Sequence, residues 1–155
     1  MARRVFISYQ HQDQMKAKGL NLMRYNEHLD VEFVGRHLLD AVDSTDAAYI
    51  GSKIREQIKG SSATIVLIGE HTADSDWVPR EIVWSLAKNP LNGLVGIRID
   101  PDAEIPAELT DAGAEILDWN VPGDVHEFDA AIERAIAATA RGRNMPTNSV
   151  SSCAR

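Results

Sequence analysis

The chain has 155 residues, of which 44% are hydrophobic and 25% charged, and these values are typical of one globular domain with its own core. The formal net charge is -7 and no long basic run occurs, which argues against nucleic acid or an anionic membrane as the main partner. The single cysteine, Cys153, allows no disulfide within the chain. Because no apolar stretch reaches the length of a signal-peptide core or a membrane span either, we expect a cytoplasmic protein.

Five short apolar runs predict the strands of one sheet. They are RVFISY (4–9), VEFVG (31–35), ATIVLIG (63–69), GLVGIRI (93–99) and AEILDW (114–119). The first, third and fourth are nearly continuous and rich in β-branched residues, which is typical of strands buried on both faces of a parallel sheet.

Four helical segments lie between or after these runs, at 12–26, 46–59, 77–88 and 125–141. The second carries an apolar residue at every fourth position, Ile50, Ile54 and Ile58, and therefore one apolar stripe. The alternation of strands and helices predicts an α/β fold with a mainly parallel sheet and right-handed crossovers. Residues 100–113, with their prolines, predict a loop that includes a short helix, and residues 142–155 predict a flexible tail.

The stretch SDWVPREIVWSL (75–86) places a single carboxylate, Glu81, between two tryptophans near the start of a predicted helix. In open α/β sheets, ligands bind beyond the carboxyl ends of the strands, and this helix begins at that edge. Ser75 or Asp76 can cap the helix. Glu81 follows Trp77 by four residues, so both side chains project from one side of the helix.

A structural role for these residues is the competing interpretation. Glutamate early in a helix is stabilised by the helix dipole, and each tryptophan can simply pack against a neighbouring element. The common position at the predicted ligand edge favours a site, because a carboxylate beside large apolar rings is partly desolvated and its charge then interacts more strongly.

Other uses of an α/β fold do not fit the sequence. It contains no G-x-G-x-x-G fingerprint, no P-loop and no G-x-S-x-G elbow. Acidic residues at the positions that a phosphate-accepting receiver requires are absent as well. The five histidines show no metal-ligand spacing, so no metal site is expected.

Two stretches resemble TIR domains. RRVFISYQHQD (3–13) is similar to the first conserved box of the family, and IREQIKGSSATIVLIGEHTADSDWVPREIVWSL (54–86) is similar to the pattern around its third strand, including the W-x-x-x-E element. The insert with DSTDAAYIGSKI (43–54) is similar to the TIR-like subunit of bacterial Thoeris antiphage systems. The loop at 35–45 corresponds to a family loop by its position after the second strand, but its sequence shows no recognisable family pattern.

The resemblance implies a flavodoxin-like three-layer sandwich over residues 1–141 and cleavage of NAD as a substrate, with no cofactor. On the matching residues it makes Glu81 the catalytic group, with Trp77 in the same element. Tyr9 is a candidate aromatic surface for a base, although a structural role is equally open. Asp76 is a candidate for orienting a ribose.

Ser8 and Asp13 complete the expected substrate pocket, and Asp13 is equally a candidate cap for the following helix. The implied product is an ADP-ribose derivative, cyclised or otherwise modified in the Thoeris-like branch, that signals to a separate effector. Self-association with other TIR domains is the implied protein contact. A non-catalytic adaptor that acts only by self-association is the alternative, and an unrelated flavodoxin-like binding protein is a third.

Overall fold

The structure is a computed structural model that describes residues 3–35 and 47–144. The strands are β1 (Arg3–Ser8), β2 (Val31–Gly35), β3 (Ala63–Ile68), β4 (Gly93–Arg98) and β5 (Glu115–Asp118). The helices are α1 (Gln14–Asn21), α2 (Ala47–Lys59), α3 (Trp77–Leu86), α4 (Ala107–Asp111) and α5 (Val125–Asn144). Short 3-10 turns lie at His11–Asp13, Leu22–Tyr25, Thr72–Asp74 and Val121–Gly123.

The five strands form one sheet in the order β2-β1-β3-β4-β5. Every neighbouring pair is parallel, so the sheet is wholly parallel where the sequence predicted a mainly parallel one. The order reverses at β1, which gives the doubly wound, flavodoxin-like topology. This confirms the predicted fold class.

Helices cover both faces of the sheet. On the first face, α1 and α5 bury residues such as Ala17, Phe128 and Ile132 against Ile7 and Ile65. The second face carries α2, α3 and α4, in two clusters. Phe6 and Val34 pack against α2, and Val66, Ile68 and Leu94 pack against α3 and α4. Because side chains alternate along a strand, Ser8 lies on the second face with Phe6, whereas Tyr9 lies on the first.

Element ends differ from the predicted ends by a few residues. The predicted helix 12–26 is a short α-helix between two 3-10 turns, and the predicted short helix within 100–113 is α4. Helix α5 continues to Asn144, three residues beyond the predicted limit at 141. Residues 145–155 of the predicted tail, residues 36–45 of the predicted loop and the first residue of the predicted helix 46–59 lie outside the described residues.

One glycine fixes the distance between β4 and α5. A Cβ atom on Gly93 would lie 2.6 Å from the backbone carbon of Ala135 and from the backbone nitrogen of Ile136. The strand and the helix therefore touch backbone to backbone at this point, and the contact leaves no room for a side chain.

The search for membrane spans covered residues 3–35 and 47–144. No helix there is both long enough and apolar enough to cross a bilayer.

Candidate functional site

Helix α3 carries the candidate catalytic carboxylate, and its start is fixed by a serine. The Ser75 hydroxyl oxygen accepts hydrogen bonds from the backbone N–H groups of Trp77 and Val78, both at 3.2 Å. Asp76 occupies the cap position, but its side chain makes no capping bond and is exposed. Of the two predicted caps, Ser75 is therefore the one used, and the Asp76 carboxylate stays in solvent at the ligand edge.

Glu81 is fully buried and faces the end of β1. The Ser8 hydroxyl donates a hydrogen bond of 2.5 Å to Oε1 of Glu81, a length typical of a hydroxyl bound to a carboxylate. Both residues have no exposed surface. Glutamate is rarely buried completely unless it is paired. The Ser8 hydroxyl is such a partner for the Glu81 carboxylate.

A second set of hydrogen bonds fixes α3 from its other end. The Ser85 hydroxyl donates to the backbone carbonyl of Glu81 at 2.8 Å and lies 2.6 Å from Oγ1 of Thr64 on β3. Asn92 then donates to Thr64 and to Ser61. These bonds tie the helix to the sheet and so fix the direction in which the Glu81 side chain points.

Lys88 is also part of this hydrogen-bond network and lies at the edge of the sheet opposite the ligand edge. Its ammonium group donates to the carbonyl of Ser61 and to Oδ1 of Asn92, both at 2.6 Å. Burial lowers the pKa of Lys88, because desolvation disfavours the charged form.

Asp13 lies where β1 and β3 end, directly over Gly69. A Cβ atom on Gly69 would lie 2.5 Å from Oδ2 of Asp13. Any side chain at position 69 would therefore overlap the carboxyl group in its present position. Asp13 occupies the cap position of α1, yet its side chain makes no capping bond. The structure therefore shows no capping role for the Asp13 side chain, and its predicted role in a substrate pocket stays a prediction.

Burial controls the ionisation of Asp13. Desolvation raises the pKa of its carboxyl group, and it outweighs His71, the Thr72 hydroxyl and Lys16, which all favour the charged form. Thr72 is itself fully buried, accepts a hydrogen bond from Gly69 N–H at 2.8 Å and lies 3.0 Å from the Leu67 carbonyl.

Trp77 and Trp84 pack against each other, with ring centroids 6.4 Å apart. Both rings approach Gly51 of α2, where an added Cβ would lie 3.6 Å from Trp84 and 3.8 Å from Trp77. Both are half-buried beside the α2 cluster. Trp84 therefore has the packing role that the sequence suggested for it as an alternative.

Tyr9 lies apart from the other candidates. Its side chain is 3% exposed and packs in the core of the first face, on the other side of the sheet from Ser8 and Glu81. The structure therefore brings Ser8 and Glu81 together, places Asp13, Asp76 and Trp77 around the same edge of the sheet, and places Tyr9 in the core of the first face.

The sequence reasoning missed Thr72 as a member of the site. A hydroxyl residue three positions after the end of a predicted buried strand was the available signal, because such a residue falls at the ligand edge. Among the described residues, no three His, Cys, Asp or Glu side chains come close enough to hold a metal ion.

The five-stranded parallel sheet in the order β2-β1-β3-β4-β5, covered by helices on both faces, is the flavodoxin-like α/β architecture that TIR domains have. The family model described as "Thoeris protein ThsB, TIR-like domain" matches residues 6–104. The chain therefore belongs to the ThsB TIR-like family of Thoeris systems. The matched range includes Ser8, Asp13 and the element from Trp77 to Glu81.

Solved structures of two SEFIR domains share the fold. The SEFIR domain of IL-17 receptor B has a TM-score of 0.56 and 10% identity, covering 87% of this chain and 97% of that one. A prokaryotic SEFIR domain has a TM-score of 0.56 and 14% identity, covering 84% and 99%.

The TIR domains of the activated Roq1 resistosome match with a TM-score of 0.45 and 18% identity, covering 88% and 84%. A comparison with curated protein sequences gives no significant match.

Proposed function

We propose that this protein cleaves the nicotinamide–ribose bond of NAD and forms a cyclic, ADP-ribose-derived signal that activates a separate effector in antiphage defence. The observation that carries the proposal is the position of Glu81. It stands four residues after Trp77 in a ThsB-family chain and is held by Ser8 at the ligand edge of the sheet.

The chemistry requires little more than a fixed negative charge. When the bond between the ribose C1′ and the pyridine nitrogen breaks, its electron pair goes to the nitrogen, and nicotinamide leaves as a neutral ring. Positive charge then develops on the ribose. A preorganised carboxylate stabilises such an oxocarbenium-like state, as in glycosidases.

The second half of the reaction decides the product. Attack on C1′ by a ring nitrogen of the adenine base of the same molecule closes a ring and consumes no water; the positive charge passes to the base, which becomes neutral when its exocyclic amino group loses a proton. Attack by water instead gives linear ADP-ribose and releases a proton. We place Ser8 as the positioning residue for Glu81, and Asp13, Asp76 and Trp77 as contacts to the substrate.

The burial of Glu81 limits the access of a substrate to its carboxylate. Because its side chain has no exposed surface, a substrate can touch the carboxylate only after the side chains around it separate. We therefore expect the isolated protein to turn over NAD slowly and to gain activity when it is activated or assembled.

The first prediction tests this assignment with Glu81→Gln. The amide keeps the shape and can still accept the Ser8 hydrogen bond, but it removes the charge, so nicotinamide release should fall by about 100-fold or more. The measurement is mass spectrometry of nicotinamide and of the ribose-containing product after incubation with NAD.

The matched control is Glu70→Gln, which removes an exposed carboxylate just beyond β3 and should leave turnover unchanged. A Glu81→Gln protein that turns over at the rate of the unmodified protein would overturn the assignment.

A second candidate function is a non-catalytic adaptor that acts by self-association. The complete burial of Glu81 favours it, because a buried and hydrogen-bonded carboxylate is equally suited to hold α3 on β1. In that case the unmodified protein would release no nicotinamide in any assembled state, and Glu81→Gln would change stability alone.

A further inference from the structure

A second cavity lies on the second face, at the edge where α2 and α3 end, away from the candidate site. Its volume is about 390 Å³, and the residues that determine its character are Arg55, Lys59, Trp84 and Lys88. We call it the Lys88 cavity. Within the described part of the chain, every charged residue that lines it is a cation, although the chain has a net charge of -7.

No carboxylate offsets these charges. Among the described residues, none of Arg55, Lys59 and Lys88 forms an ion pair with an acidic side chain. Burial lowers the pKa of Lys88, and an acidic neighbour, which would counteract this shift, is not in contact with its ammonium group. At neutral pH, the uncharged amine is therefore more populated at Lys88 than in a lysine of ordinary pKa.

The hydrogen bonds of Lys88 suit an uncharged amine as well as an ammonium ion. Its Nζ donates to the Ser61 carbonyl and to Oδ1 of Asn92, both at 2.6 Å, and both acceptors are uncharged. An uncharged amine has two N–H groups and one lone pair, so these two bonds use both of its donors. The structure gives Nζ no third hydrogen-bond partner among the described residues. The lone pair is therefore left for a reaction, as a nucleophilic lysine requires.

The two cations from α2 determine which kind of electrophile suits the cavity. Arg55 lies over the Trp84 ring at 5.5 Å from its centroid, and a guanidinium held on an aromatic face is well suited to bind a phosphate group. Lys59 adds a second positive charge to the same cavity. Neighbouring cations also disfavour the charged form of a lysine and so activate it as a nucleophile.

We propose that Lys88 is a modification site for acyl phosphates, whose phosphate group binds to Arg55 and Lys59 while the Lys88 amine takes up the acyl group. An acyl phosphate combines the two features that the Lys88 cavity selects, a phosphate and a reactive carbonyl carbon directly beside it. The inference does not depend on NAD cleavage, and Glu81→Gln should be acylated like the unmodified protein.

The reaction needs no further reagent. The lone pair of the Lys88 Nζ attacks the acyl carbon, a C–N bond forms, and the bond between the acyl carbon and the phosphate oxygen breaks. The electron pair of that bond leaves with the phosphate, which also receives the proton that the nitrogen loses. The products are an N-acylated lysine and hydrogen phosphate. Since the resulting amide has a single N–H group, it can no longer donate to both Ser61 and Asn92.

The lysines of the chain allow a test within one sample. The protein is incubated with acetyl phosphate near neutral pH, and peptide mass spectrometry gives the acetylation rate at each lysine. The five sites are Lys16, Lys18, Lys53, Lys59 and Lys88. Lys88 should react about tenfold faster than the mean of the other four, because each unit by which the pKa of an amine is lowered raises its uncharged fraction about tenfold. In denaturant, this preference should disappear.

A neutral acyl donor separates phosphate binding from the reactivity of the amine. p-Nitrophenyl acetate carries no phosphate, so the measured quantity is the rate of Lys88 acetylation by acetyl phosphate divided by the rate with p-nitrophenyl acetate. Arg55→Ala and Lys59→Ala should each lower this ratio by roughly threefold. Lys53→Ala removes the same charge from the same helix but outside the cavity, and should leave the ratio unchanged. Circular dichroism of each variant confirms that it is folded.

Two results would overturn the proposal. One is a folded protein in which Lys88 is acetylated no faster than the other four lysines, because its amine would then only tether Ser61 and Asn92. The other is a ratio of the two rates that neither Arg55→Ala nor Lys59→Ala changes, because the cations of the Lys88 cavity would then not bind the phosphate group.

Discussion

At the scale of single residues, the contact between Ser8 and Glu81 is the centre of the candidate site. A short hydrogen bond joins the last residue of β1 to the second turn of α3, and both side chains are closed to solvent. The contact therefore holds α3 against the sheet and fixes the position of one carboxylate oxygen of Glu81.

The Ser8→Ala variant separates these two effects. Loss of the hydroxyl removes one donor from a buried carboxylate, which should lower the free energy of unfolding by about 1–3 kcal/mol. Urea denaturation measures this, with the exposed Ser62→Ala as the control that should change little.

In a double-mutant cycle, Ser8→Ala combined with Glu81→Gln should show a coupling energy of at least about 0.5 kcal/mol. Strictly additive changes would mean that the two side chains do not interact as described.

Asp13 gives the site a pH dependence. Burial raises the pKa of its carboxyl group above the ordinary value of 3.8, so between that value and the raised pKa the folded chain binds more protons than the unfolded chain. The contribution of Asp13 to the free energy of unfolding therefore falls as pH rises through this window.

Asp13→Asn removes this titration. The unfolding free energy of the variant minus that of the unmodified protein should therefore be larger at pH 7 than at about pH 4. Urea unfolding of both proteins at both pH values measures this difference. If the difference in unfolding free energy is the same at both, the carboxyl group does not titrate differently in the folded chain.

At the scale of elements, the close contact of β4 with α5 sets the spacing of the first face. In Gly93→Ala the new methyl group would overlap the backbone of α5, and backbone cannot rotate away as a side chain can. We expect a loss of at least about 2 kcal/mol in unfolding free energy, measured by thermal and urea unfolding.

Gly19→Ala is the matched comparison. A Cβ at Gly19 would meet no atom within 4 Å, and alanine favours a helix by up to about 1 kcal/mol over glycine. This variant should be as stable as the unmodified protein or more so. Equal effects of the two substitutions would contradict the backbone contact at Gly93.

At the scale of the whole molecule, the charge is unevenly distributed. A chain of net charge -7 repels its own copies at long range, but this repulsion is screened over about 8 Å at physiological salt. Close pairs across an interface are screened less. Within the described residues, exposed cations such as Arg55 and Arg80 lie beside the tryptophans of α3, whereas every charged residue from 99 to 118 is acidic.

The sequence by itself determined the alternation of strands and helices, because burial on both faces selects β-branched runs and an amphipathic helix repeats its apolar residues every turn. The choice of Glu81 as the principal candidate rests on the resemblance of the stretch from Trp77 to Glu81 to the TIR W-x-x-x-E element. The tertiary structure decided which side chains meet. The pairing of Ser8 with Glu81 joins residues 73 positions apart, and the face that Tyr9 occupies depends on strand register, since one residue along a strand reverses the side. The groove lined by Arg55, Trp77 and Trp84 likewise exists only once α2 and α3 lie side by side on the sheet, because residues far apart in the chain form it together.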